Sequence, residues 1–392
     1  MGRTCRACGS REVLGFLSLG QLPTSSSLSL DQLSKTQRQR LDMGFCPRCG
    51  LVQRLGEPQE TIEAPASFST WRELTGLLGP KKRVLALEGM PLRLLRQLGQ
   101  QGAQLLYLEP HPERSQAALA QGIPTERARF DREVAQRLGD FQADWVLAGH
   151  LLAYSHNPSR FLEALARVLA EGGQAVLELP YLPYLLEARR FTHFSYGQQN
   201  YFTLKTLRSL ARPHGLEIRQ VAPCGPLALR YHLGRGALFA QAGVYLESEE
   251  RLGLDQTGYY LEFASQVAAL REALLTLLAE LRARGRRVAA YGANPESAAL
   301  FNYAGLGPEL VEFLVDPDPR QRGRYLAGVH IPIHPPHRLL ENPPDYLLLL
   351  HEAPGETPAE LAEYLEGGGR MVVALPYPHI LRPGEGMLAE PA

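Results

Sequence analysis

No apolar run in this 392-residue chain approaches the roughly 20 residues that a membrane-spanning helix needs. The opening residues, Met1 to Ser10, lack the apolar stretch of a secretory signal. Lysine is scarce and confined to Lys35, Lys81, Lys82 and Lys205, so arginine carries nearly all the positive charge. Neither sign of charge prevails: 41 basic residues face 41 acidic ones, for a formal net charge of zero. That balance argues against a protein built around nucleic-acid phosphates. No G-x-G-x-x-G run occurs, which removes the usual mark of a nicotinamide-dependent oxidoreductase. Cysteines number only five, too few for a disulfide scaffold of this length. These absences lead to the expectation of a soluble, cytoplasmic protein with neither a membrane nor a nucleic-acid partner.

What is present is an ordinary globular balance, 45% hydrophobic and 21% charged, with material for two or three domains. Residues 1–60 stand apart, with four of the five cysteines and a Ser-rich stretch, and read as a separate head. A linker at 61–80 follows. From residue 81, strands and helices alternate. Val84–Leu87 is a buried strand and Pro91 opens a helix that Gly102 ends. The runs before Glu109 and His150 are further strands. The stretch from Asn157 to Gly173 reads as one helix, with Asn157 as its cap. This alternation implies a parallel sheet covered by helices over 81–245. A helical connector occupies 246–285. A second α/β unit, Rossmann-like and smaller, covers 286–392. In it the Pro-rich run from His330 to Leu340 cannot be a central strand.

Cys5-Arg-Ala-Cys8 and Cys46-Pro-Arg-Cys49 are CxxC pairs, each followed by glycine (Gly9, Gly50). Such turns space two sulfurs for one tetrahedral metal, so two of them predict a closed, structural zinc site with four cysteine ligands. Two disulfides or a pair of redox motifs are the alternatives. The fifth cysteine, Cys224, reads as a packed thiol. After the first strand, Glu88 and Gly89 occupy the turn where a doubly wound domain approaches its ligand. A plain strand-to-helix turn is the competing reading. Glu109 ends the second strand, where an acid accepts hydrogen bonds from ribose hydroxyls. It could equally be a solvated strand-end carboxylate.

The order of parts resembles that of the S-adenosylmethionine (SAM)-dependent sugar C-methyltransferases, which methylate nucleotide-linked keto-deoxysugars. The resemblance rests on CRACG, LGQLP and FCPRCGLVQ in the head, then LEP at Leu108–Pro110 and ELPYL at Glu178–Leu182. It continues through YFTL at Tyr201–Leu204, LALRY at Leu227–Tyr231, YGA at Tyr291–Ala293, the run from Val315, and GGGRMVVALP from Gly367. It implies a zinc-binding head, a Rossmann-like SAM-methyltransferase domain and a C-terminal Rossmann-like domain, with SAM as cofactor and a nucleotide-sugar as acceptor.

This chain departs from the family where the chemistry should lie. The family's acid-Ile-Gly-x-x-x-Gly turn falls on Ala86, Leu87, Glu88 and Leu92. Side chains at the two glycine positions obstruct a close backbone approach, and a Glu88 carboxylate facing the ligand would repel the methionine carboxylate. The family's Tyr-His-Glu-His falls on Ser195, Tyr196, Gly197 and Gln198, and the lysine after YGA is Glu296. Carbon methylation needs a base beside the keto group and a donor for the developing oxyanion. His150 at a strand end and His193 are the candidate bases, and Tyr196 is the candidate donor. Arg324, His330, His334 and His337 are candidates for docking a nucleotide diphosphate, against a plain solvated loop. Two functions therefore compete. One is an active C-methyltransferase with a changed site. The other is a catalytically degenerate relative that binds a sugar nucleotide, another small molecule or a partner protein.

Overall fold

The computed structural model describes residues 4–56, 81–349 and 358–381, so the expected linker at 61–80 lies outside the described residues. The chain divides into two compact units. The first takes residues 1–16, 43–185 and 195–260, and the second takes 17–42, 186–194 and 261–392. The head expected over residues 1–60 is thus shared between the units. Pairing rather than chain order causes this: Ser27–Leu28 pairs antiparallel with Tyr325–Leu326, and Arg324 Nε donates to Ser27 Oγ at 2.9 Å.

Seven strands form the main sheet of the first unit. In chain order they are Arg83–Ala86, Gln104–Leu108, Thr125–Glu126, Ala143–Gly149, Leu169–Pro180, Glu217–Gly225 and Ala228–Gly234. In space they run sixth, seventh, fifth, fourth, first, second, third. The first five are parallel, as the alternation of elements requires, and the last two add an antiparallel hairpin beside the fifth. Along the first strand Val84 and Ala86 pack with Leu94, Leu95 and Leu98 of helix Leu92–Gln100, while Leu85 and Leu87 join the core on the other face. The sheet is therefore buried on both sides, as continuous apolar runs demand.

The helix expected to reach Gly173 ends at Val168, and Leu169 already belongs to the fifth strand. Two glycines explain the early turn. Gly172 has φ +77°, and a Cβ on Gly173 would lie 2.6 Å from the Ala143 carbonyl. The chain bends and closes onto the fourth strand at a distance that only glycine permits.

The second unit carries a six-stranded sheet in the order Ile333–His334, Leu314–Val315, Val288–Tyr291, Tyr346–Leu349, Arg370–Val373, His379–Ile380. The Pro-rich segment thus supplies an edge strand, where a missing N–H is tolerated. Helix Thr257–Ala283 falls inside the expected connector. Among the described residues, no helix is long and apolar enough to cross a membrane.

Inside the first sheet, Glu178 and Arg230 are direct cross-strand partners, with Arg230 Nη2 2.9 Å from Glu178 Oε1 and both side chains almost fully buried. Next along the strand, His232 is 2% exposed, its Nδ1 3.2 Å from Gln174 Oε1 and its ring edge-on to Trp145. Burial, with the Arg230 charge behind it, pushes the His232 imidazole down to about 4. The unfolded chain takes up the proton near 6.5 and the folded chain does not, so His232 opposes folding increasingly as pH falls from 6.5 to 4. Between pH 7 and 4, urea unfolding of wild type and His232→Leu should shift in favour of the variant by about 3 kcal/mol. A constant difference between the two would show that His232 is protonated inside the fold.

Candidate functional site

The four head cysteines converge. Cys5 and Cys49 sulfurs lie 3.6 Å apart, as do those of Cys8 and Cys46, and all four fall within 4.8 Å of one another. No disulfide joins them. Sulfurs bound tetrahedrally at about 2.3 Å from a zinc ion stand about 3.8 Å apart, so the cluster fits the ion. The two turns share one geometry. Gly9 N–H donates to the Cys5 carbonyl at 3.0 Å and Gly50 N–H to the Cys46 carbonyl at 2.8 Å, with φ of +71° and +76°. No coordination position is left for substrate, so the zinc is structural.

A cleft opens at the carboxyl edge of the main sheet. The chain leaves the first strand to one side and returns on the other as the fourth, and ligands of open α/β sheets bind at such a reversal. The cleft measures about 530 Å³ and is lined by Glu88 from the turn after the first strand, by residues 129–133, and by Leu151, Tyr154–Asn157, Arg160 and Phe161 after the fourth. Phe130 and Phe161 meet edge to face at 5.6 Å. The volume suits a nucleoside-sized ligand. Gly89 has φ +85°, so the turn does use glycine's freedom. Leu92 begins the following helix and is half-buried, and Ala86 is fully buried.

Glu109 is 1% exposed and is not among the residues lining the cleft. Its carboxylate accepts from the Tyr107 hydroxyl at 2.5 Å, from His111 N–H at 3.1 Å and from Gly89 N–H at 3.4 Å. It therefore clamps the two turns that begin the neighbouring helices.

Beside the cleft lies the segment from Ser195 to Tyr201. Its last two residues pair antiparallel with Val52 and Gln53, just beyond the second cysteine turn. Gln199 N–H donates to the Ala153 carbonyl at 2.9 Å, and Asn200 Nδ2 to the Ser155 carbonyl at 2.7 Å. The segment is thereby pinned onto the short helix Leu151–Tyr154, whose N-cap is His150. Tyr196 sits in this pinned segment, and its carbonyl accepts from Gln199 Nε2 at 2.9 Å. Gln198, 6% exposed, donates through Nε2 to the Asn200 carbonyl at 3.1 Å. His150 is 3% exposed. Burial lowers its pKa, against the opposing charge of Glu178 and a hydrogen bond to the Glu178 backbone. Arg54 closes the group, with Nη2 3.3 Å from Gln199 Oε1 and its pKa lowered by burial.

His150 thus caps the helix onto which the Tyr196 segment is pinned, and neither residue is among those lining the cleft. His193 belongs to the second unit, with Nε2 3.9 Å from the Glu296 carboxylate. The docking candidates of that unit have protein partners. Arg324 serves Ser27, His330 Nε2 lies 3.3 Å from Thr36 Oγ1, and His337 lies 3.7 Å from Glu341. His334 stands edge-on to Phe313. Cys224 is half-buried, with its thiol pushed up to about 12 by burial. Sequence reasoning missed Gln199, Asn200 and Arg54. The polar run Gly197–Asn200 between aromatic residues was the available signal for the first two, and none existed for Arg54.

Three family models match successive parts of the chain: a zinc binding domain over residues 5–59, a methyltransferase domain over 66–221 and a C-methyltransferase C-terminal domain over 232–376. The C-methyltransferase NovU of Streptomyces niveus is 28% identical over 413 aligned positions, covering 96% of each chain. Among solved structures, an S-adenosylmethionine-dependent methyltransferase from Mesorhizobium loti shows 15% identity, with 43% of this chain and 99% of that one covered and a TM-score of 0.34. One from Aquifex aeolicus shows 13% identity, 42% and 89% coverage and a TM-score of 0.32.

The metal site generates a direct expectation. Purified protein should carry about one zinc per chain. Cys46→Ser should lose it and expose the amides of Val52–Arg54 and Tyr201 to hydrogen exchange, while those of Val84–Ala86 stay protected. Equal protection in a metal-free variant would mean that the ion does not order this pairing.

Proposed function

Since the chain belongs to the S-adenosylmethionine-dependent C-methyltransferase family with a zinc-binding head and a C-terminal domain of its own, we propose that it methylates carbon beside the keto group of a nucleotide-linked sugar. The observation that carries this reading is the cleft at the carboxyl edge of the main sheet, beside the short helix that His150 caps and to which the Tyr196 segment is pinned; neither His150 nor Tyr196 is among the residues lining it. S-adenosylmethionine, when bound, supplies an electrophilic methyl group on a sulfonium.

The cleft residues of the first unit, Glu88, Phe130, Asp131 and Tyr154 among them, hold it. His150 takes the proton from the carbon next to the ketone. Its lowered pKa keeps the imidazole neutral, and so able to accept, through neutral pH. Tyr196 donates to the oxygen that gains charge as the proton leaves. Gln198 has no titratable nitrogen, and its amide is already engaged with the Asn200 carbonyl. The same observation favours a second reading, a non-catalytic relative that binds a sugar nucleotide or a protein partner.

Two measurements separate the readings. Calorimetric titration tests SAM binding. Deuterium exchange at the carbon beside the ketone of a bound keto-sugar nucleotide tests the base without the cofactor. Wild type should exchange, and His150→Ala should slow exchange by about two to four orders of magnitude. The rate should fall on acidification only below the ordinary imidazole range, because burial lowers the His150 pKa. Absence of exchange with every keto-sugar nucleotide tried would leave the non-catalytic reading standing.

A further inference from the structure

We propose that Arg54 is a positioning residue for Tyr196, acting through the side-chain amide of Gln199; this rests on reading Tyr196 as the donor to the reacting oxygen. Tyr196 stands in the run Ser195–Gln198, which belongs to neither helix nor strand. Gly197 follows it directly, and glycine has the most backbone freedom to lose. Side chains supply the grip on this run. Ser195 N–H donates to the Tyr201 hydroxyl at 3.0 Å, and Gln199 Nε2 donates to the carbonyls of Tyr196 at 2.9 Å and Gly197 at 3.2 Å.

The two ends of an amide side chain are alike in shape and opposite in chemistry. Turned over, Gln199 would set its oxygen against the two carbonyls, and the grip would become a repulsion. Arg54 settles the orientation. A guanidinium only donates, so the end of the amide that faces it is the oxygen, and Arg54 Nη2 lies 3.3 Å from Gln199 Oε1. The nitrogen is thereby left for Tyr196 and Gly197. Arg54 and Gln199 are both almost fully buried, so water does not replace either partner.

Arg54 is itself held. Its N–H donates to the Gln199 carbonyl at 3.0 Å, and Arg6, between the cysteines of the first metal turn, donates through Nη1 to the Arg54 carbonyl. Burial lowers the Arg54 pKa, as desolvation of a guanidinium does. Taking a charge out of water is costly, and here part of the fork goes to a neutral amide whose other end holds the backbone at Tyr196. A tie between the two segments alone needs no guanidinium, because the Arg54 N–H already supplies one.

Two exchange measurements on the full-length zinc-loaded chain test this, and the first needs no substrate. Arg54→Met keeps an apolar stem and loses the side-chain donors. Gln199→Glu keeps an acceptor for Arg54 and loses the donor to Tyr196. Each should speed hydrogen exchange of the Ser195 and Gln198 amides about tenfold, while Tyr201 and Val84–Ala86 stay protected. If Arg54→Met also loses the protection of Val84–Ala86, Gln199→Glu carries the test. The second measurement is deuterium exchange at the carbon beside the ketone of a keto-sugar nucleotide. Each variant should lower kcat by about tenfold to a hundredfold and leave KM within about threefold, since a misplaced group costs rate more than binding. The double variant should be no slower than the slower single one, because both act through one contact. Arg54→Lys, which keeps a donor, should recover part of the rate. Unchanged amide exchange in the two single variants, or losses of rate that add in full in the double variant, would overturn the inference. If wild type exchanges no ketone-side proton, the C-methyltransferase reading fails, and amide exchange alone decides whether Arg54 orders the segment.

Discussion

Antiparallel pairing of Val52 and Gln53 with Tyr201 and Asn200 ties the cysteine cluster to the carboxyl edge of the sheet. Only three residues separate Cys49 from Gln53, so the second metal turn and the paired strand move together. The first metal turn holds the same strand from the other side. Arg6 N–H donates to Gln53 Oε1 at 2.9 Å, and Gln53 Nε2 donates to the Thr4 carbonyl at 3.1 Å. Arg54 then extends the pairing to Gln199 through its own N–H at 3.0 Å and its guanidinium at 3.3 Å. A small zinc domain has little core of its own and relies on the metal for order. Here that order passes by backbone hydrogen bonds to the segment that carries Tyr196.

The same unit shows how polar groups are buried without being stranded. Glu249, 2% exposed, accepts from Leu204 N–H at 2.5 Å, from Lys205 N–H at 2.9 Å and from the Tyr181 hydroxyl at 2.8 Å. It satisfies two of the orphan amides that begin helix Leu204–Ala211, while Thr203 caps a third through Thr206 N–H. Burial raises the pKa of Glu249, and these three donors oppose that rise. Glu178 and Tyr181 belong to one of the short motifs that mark the family resemblance, Leu204 to a second and Arg230 to a third. The motifs meet in space as an ion pair and a helix cap.

Much of this architecture is legible along the chain because its signals are local. An apolar run between charges and a turn makes Val84–Leu87 a strand, and CxxC followed by glycine makes a metal turn wherever it stands. Other features depend on distant partners. Leu169 continues an apolar helical period, yet its backbone pairs with Ala143 and the strand wins. Residues 17–42 look like part of the head, yet Ser27 pairs with Leu326 almost 300 positions away. Glu109 stands at a strand end where a ligand is expected, and nothing local reveals that Tyr107, two residues earlier, turns its hydroxyl onto the same carboxylate. His150 was legible as a strand-end residue, whereas its closeness to the Tyr196 segment depends on Gln199 and Asn200 reaching Ala153 and Ser155.

On the proposed function, the pinned segment bears on where proton transfer can occur. In Ser195–Tyr201 the side-chain amides of Gln198, Gln199 and Asn200 all donate to backbone carbonyls, which makes the segment a rigid support. A rigid amide-bonded loop orients a neighbouring hydroxyl well and accepts no proton. On the proposed reading the base comes from the strand side, where the surroundings are drier. Dryness costs His150 basicity, and the one charge that opposes this, Glu178, is itself engaged by Arg230 across the sheet. Arg230 thus limits how far the carboxylate can raise the imidazole, and desolvation dominates. A base of this kind is weak but always deprotonated near neutral pH. It suits a carbon acid whose proton is already loosened by an adjacent ketone held against a firm donor. If the proposed function holds, the fixed segment and the buried ion pair serve one chemical requirement, a firm donor opposite a dry base.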